Sequence, residues 1–139
     1  MTGLIWVIQL VHYPGFGYVD KSNFTSFTHF HNSRITLIVL PVMVAELCSA
    51  VFLCWQVRWG GVDASDAVNF YLDLNLIGVA CIWAVTFFAS VPAHERLGKA
   101  KDPKALKCLV ATNWLRTGLW SLRSISWFVC VWLGVQALL

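Results

Sequence analysis

The sequence predicts an all-α, polytopic membrane protein, a bundle of four transmembrane helices, and three features carry that expectation. Hydrophobic residues make up 58% of the 139 and charged residues only 12%, against roughly a quarter charged in ordinary soluble domains. The mean hydropathy is +0.68. The apolar runs are continuous, each near the roughly 20 residues a helix needs to cross about 30 Å of hydrocarbon, whereas the strands of a membrane barrel alternate polar and apolar positions. A water-soluble globule is excluded, and the length fits a single domain.

The first span covers about 2–19, with no ionised side chain before Asp20. Pro14, flanked by Gly15 and Gly17, is expected to kink or unwind it just past His12 and to free carbonyls near positions 10 and 11. The second covers about 35–57 and holds one carboxylate, Glu46; Pro41 should bend it. The third covers about 67–91, with Asp73 near its start and Pro92 closing it. The last covers about 116–139 and follows an amphipathic helical start at 103–115, capped by Asp102. There Lys104 and Lys107 would reach the headgroups while Ala105, Leu106 and Leu109 form an apolar side.

Basic residues set the orientation. Lys21 and Arg34 flank the first loop, and Arg96, Lys99, Lys101, Lys104 and Lys107 fill the third, whereas the second has only Arg58. By the positive-inside rule, loops one and three are cytoplasmic and both termini face outward. No basic stretch precedes the first apolar run and no small-residue cleavage site follows it, so the first helix is expected to stay. The five cysteines are mostly inside apolar spans and read as small buried residues rather than disulfides.

Polar groups inside spans are expensive and are expected to face protein or a wet cavity. In the last helix Asn113, Arg116, Thr117, Trp120, Arg123, Ser124 and Trp127 recur every three or four residues and form one stripe. Glu46 lies about 17 Å along the second helix, near mid-membrane, where a carboxylate needs a partner; Arg123 is the natural one. On the third helix Tyr71, Asn75, Gly78, Ile82 and Thr86 share a face, and Gly78 would let a neighbour approach closely. His12 lies about 11 Å from the cytoplasmic end of the first helix, three residues from Gln9. By depth, His12, Glu46, Asn75, Thr86, Asn113, Arg116, Trp120 and Arg123 form one candidate ligand-binding cluster. For Asn75, Thr86, Gln9 and Thr117, interhelical glue is the stronger reading; Arg116 can equally snorkel to the headgroups.

His29 and His31 fall in the first cytoplasmic loop and His94 opens the third, but their spacing matches no metal motif, so no metal ligands are assigned. A bis-His haem would need a second intramembrane histidine besides His12. The sequon at Asn23 lies on the cytoplasmic side and is discounted. The basic third loop suits anionic lipid rather than nucleic acid. The sequence has no P-loop, no G-x-S-x-G, no H-E-x-x-H and no dinucleotide fingerprint, and it leaves the identity of any cofactor open.

Three short runs carry a resemblance: His12, Tyr13 and Pro14; His31, Asn32, Ser33 and Arg34; and Asn113, Trp114, Leu115, Arg116 and Thr117. They resemble a family of small, functionally uncharacterised bacterial four-helix integral membrane proteins. More distantly, the Asn-x-x-Arg element is similar to that of anthrone-oxygenase-like membrane proteins. The resemblance implies a bacterial inner-membrane location and, through the distant tie, cofactor-independent oxidation of an aromatic substrate, with Asn113 and Arg116 the positions carried over. The leading functional expectation is an accessory or binding subunit packed against the lipid bilayer and other membrane protein chains. The alternative is an enzyme or carrier for a lipophilic aromatic or quinone-like small molecule, with Arg116 or Arg123 holding an anionic oxygen.

Overall fold

In the computed structural model, residues 1–136 are described, and every regular element among them is a helix. Four helical segments follow one another. Helix α1 occupies 2–18, α2 is Phe24–Trp59, α3 is Asp66–Lys99 and α4 is Pro103–Gln136. The last three hold 36, 34 and 34 residues and are long and apolar enough to cross a membrane. The bundle turns much of its apolar surface outward, with Leu37, Phe88, Leu122 and Phe128 all exposed. That inverted surface is what lipid, rather than water, accommodates.

Helix α4 packs along α3 and against α1, while α2 packs on α3. Short loops make the sequential helices antiparallel neighbours. Lys101, in the α3–α4 loop, donates to the carbonyls of Gly17 (3.1 Å) and Val19 (2.7 Å) at the end of α1, which fastens loops one and three together. At that end Phe16, Phe24, Leu97, Ala105 and Leu109 are buried in one apolar cluster that continues inward through Ile8, Ile82 and Trp120. A smaller cluster of Cys54, Leu72 and Cys130 closes the opposite end.

Several sequence expectations change. The first loop shrinks to the few residues around Asp20, because α2 begins at Phe24 and not near Ile35. Phe24, Thr28 and His31 are buried on one face, so packing extends the helix well past the apolar run. Likewise Pro92 does not close α3, which continues to Lys99. The reason is a π turn at Thr86–Ser90, where the amide of Val91 bonds to the carbonyl of Thr86, five residues back. The same device precedes Pro14. A π turn at Ile8–His12 places the Tyr13 amide on the Ile8 carbonyl, and the chain stays helical to Tyr18 instead of unwinding. A widened turn absorbs the lost proline donor without freeing a run of carbonyls. Helix α2 also runs through Pro41 without a break.

Helix α4 begins at Pro103 as expected, with the Asp102 carboxylate accepting from the Lys104 amide at 2.8 Å. Its first turns pack Ala105 and Leu109 into the core, and Leu106 packs beside them. Helix α1 rises only about 25 Å. Its contacts with α4 run from Thr2 beside Ser124 to Gln9 beside Asn113, and the Met1 amino group lies 3.6 Å from Glu46, so the described α1 pairs with the loop-one portion of the bundle. The expected α4 span reaches position 139, and its final three residues lie outside the described ones.

Candidate functional site

Helix α4 presents two buried arginines, Arg116 and Arg123, two turns apart on one face. Their surroundings differ. Arg123 Nη1 is 2.9 Å from Glu46 Oε2, and the same oxygen accepts from Trp120 Nε1 at 2.8 Å. The pairing that depth along the helices called for is therefore present. Its neighbour Gly78 explains how α3 makes room: a Cβ there would lie 2.8 Å from Arg123 Cγ and 2.9 Å from Cδ, so the arginine stem lies across the glycine. Nearby, Asn75 donates to Ser126 Oγ at 2.8 Å and to its own helix at Tyr71 (2.9 Å), an interhelical tie.

Arg116 is 5% exposed, so it does not snorkel to the headgroups. Among the described residues no carboxylate lies within ion-pair distance of it. Its Nη1 donates to Ser90 Oγ at 3.3 Å, its Nε has no partner, and its guanidinium lies 5.2 Å from the centre of the Trp120 ring. Trp120 thus stands between the two arginines, its ring facing one and its N–H sharing the carboxylate of the other.

Arg116 lines a cavity of about 610 Å³ between α2 and α3, within the range of small-molecule sites. Helix α2 contributes Asn32, Ile35, Thr36, Val39 and Met43, at i, i+3, i+4, i+7 and i+11, and α3 contributes Trp83, Thr86, Ser90 and His94, spaced by three or four residues, so each set falls on one helix face. Ile5, Ile8 and Tyr13 of α1 complete it. At one end the lining is polar, with His29, Glu95 and Lys99; at the other it reaches Leu40 and Phe87 on the bundle's apolar exterior. Of the eight buried side-chain polar atoms without partners among the described residues, four belong to lining residues: Asn32 Oδ1, Trp83 Nε1, His94 Nδ1 and Arg116 Nε. Such atoms are rare in folded proteins because each carries a desolvation cost of about 1–3 kcal/mol.

Beside the cavity three helices bring imidazoles together. His12 Nε2 and His31 Nδ1 share a hydrogen bond of 2.6 Å, and His94 Nε2 is 3.2 Å from the Tyr13 hydroxyl. The His31 and His94 rings stack with centroids 5.6 Å apart. Each hydrogen-bonded pair ends in an unpartnered nitrogen, His31 Nε2 in one and His94 Nδ1 in the other. The His12 and His31 nitrogens are at hydrogen-bond distance, which leaves no space for an iron between them. Among the described residues no group of three or more metal-ligating side chains converges on a point.

The eight candidates of the sequence divide among neighbouring settings, with Trp120 linking the two arginines. Glu46, Trp120 and Arg123 come together, with Asn75 beyond them; Thr86 and Arg116 line the cavity; His12 joins the imidazoles. Asn113 donates to Gln9 at 2.6 Å and ties α4 to α1. Thr86 spends its hydroxyl on the Ile82 carbonyl at 2.7 Å. The candidate cluster left out Tyr13, Trp83 and Ser90, and also His31 and His94, which the sequence places in cytoplasmic loops. For His31 a signal existed, since Phe24, Thr28, His31 and Ile35 keep a helical spacing. No protein family matches the chain, and no curated protein or solved structure is similar to it at a significant level.

Proposed function

We propose that the chain is an integral membrane protein that binds a lipophilic, oxygen-bearing aromatic or quinone-like molecule in the cavity between α2 and α3. In this reading α1 is the fourth membrane-embedded helix, loops one and three are cytoplasmic by their basic residues, and the membrane is a bacterial inner membrane. The observation that carries the proposal is Arg116: a buried guanidinium with no carboxylate within ion-pair distance among the described residues, at the wall of a cavity whose lining also leaves other polar atoms unpartnered. A ligand oxygen would supply the missing acceptor, and the apolar lining would take the ligand's body. Leu40 and Phe87 at the rim give a route for a molecule dissolved in the bilayer.

Mass spectrometry of the full chain purified in mild detergent tests this. The expected result is a co-purifying small molecule that is lost from R116L and kept in R123L, provided both variants fold. Equal retention by wild type and R116L would overturn the assignment. The accessory-subunit reading expects stoichiometric partner chains in the same sample. Its support is the exposed apolar surface, which contact with lipid explains equally well. The oxygenase reading draws support from Arg116 at the cavity, whereas Asn113 is occupied with Gln9.

A further inference from the structure

We infer that the occupant of this cavity is a weak acid, an enol or a phenol, which gives up its hydroxyl proton to His94 and is held as the anion against Arg116. The inference rests on the binding reading above and deepens it by naming the ligand's chemistry.

Charge makes the first half of the case. A buried cation is tolerated when an opposite charge approaches it, and among the described residues no carboxylate comes within ion-pair distance of Arg116, Glu95 at the polar end of the cavity included. Glu46 is taken by Arg123 and Trp120, and Asp73 by Arg58. An anionic oxygen arriving with the occupant would compensate Arg116, with the Ser90 hydroxyl already at hydrogen-bond distance from the guanidinium. A permanently charged molecule crosses hydrocarbon poorly, whereas a neutral enol or phenol partitions into it and can ionise after entry.

The second half is the base. His94 lines the cavity, and its Nε2 is engaged by the Tyr13 hydroxyl, which leaves Nδ1 without a partner. The proton transfer uses the tautomer in which Nε2 donates to the Tyr13 hydroxyl and the lone pair resides on Nδ1. Facing this group are His12 and Tyr13 from α1, His29 and His31 from α2, Glu95 and Lys99 from α3, and Arg116 from α4. None of the three clustered imidazoles has a carboxylate within ion-pair distance among the described residues. Each is therefore a neutral imidazole with one ring lone pair available. The step balances without a co-reactant. The ligand O–H bond breaks, its electron pair stays on oxygen beside Arg116, and the proton forms an N–H bond at His94 Nδ1.

The test uses 2-naphthol, whose anion absorbs at longer wavelength than the neutral phenol, in buffer where the free probe is neutral. Wild-type protein in detergent should retain the probe and show the naphtholate band. R116L should lose retention. H94Q should retain naphthol with a naphtholate band at least tenfold weaker, and H94F should behave the same way, which separates the lost base from a lost hydrogen bond. A bound but neutral probe in wild type, or an undiminished band in folded H94Q, would overturn the inference and leave the binding site standing. Failure of wild type to retain the probe would count against both.

Discussion

Arg116 and Arg123 sit on the same helix, on the same face, and are both buried, yet among the described residues one has a carboxylate partner and the other has none. The difference lies in the helices opposite. At Arg123, α2 supplies Glu46 and α3 supplies the space above Gly78. At Arg116, α3 supplies only a serine hydroxyl, and the space beside it is a cavity. A compensated charge holds helices in register; an uncompensated one is what the proposed occupant would meet.

The largest effect expected from this contrast is at Glu46. E46Q strands Arg123 as a buried unpaired charge and should lower unfolding stability in detergent by about 3–5 kcal/mol. R123L should cost nearly as much, and the double variant less than the sum; additive losses would show that the pair is uncoupled. Next comes Gly78, where G78A pushes a methyl into the Arg123 stem and should cost about 1–3 kcal/mol in the same assay. No loss would mean that the arginine can move aside. R116L should change the stability of ligand-free protein by no more than about 1 kcal/mol either way, because relief of an uncompensated charge offsets the loss of the Ser90 bond and the Trp120 stacking. A loss as large as that of E46Q would erase the distinction between the two arginines. The smallest effect is at the exposed Arg58–Asp73 pair, where R58A should leave the unfolding midpoint unmoved, since water screens such pairs.

How much of this was readable beforehand follows from two physical rules. A helix advances a fixed distance per residue, so the depths of Glu46 and Arg123 could be matched from sequence, and the cost of an unpaired charge in lipid forced them together. Gly78 was readable for the same reason, as the small residue on a shared face. The imidazole group was not, because His31 and His94 lie beyond the apolar runs that marked the spans, and tertiary packing carries both helices past those runs. The cavity was hidden too. It depends on where α2 and α3 separate, which neither helix encodes by itself.

The π turns ahead of Pro14 and Pro92 have a further meaning. Each spools one extra residue into a rod, so everything beyond it is rotated by about 100° from where an uninterrupted winding would aim it. Tyr13 stands just past one insertion and His94 just past the other, and they meet. Deleting a single residue from either turn would keep a rod of nearly the same length while swinging its partner away. The angular bearing of both side chains is thus set by one surplus amino acid on each strand of the pairing.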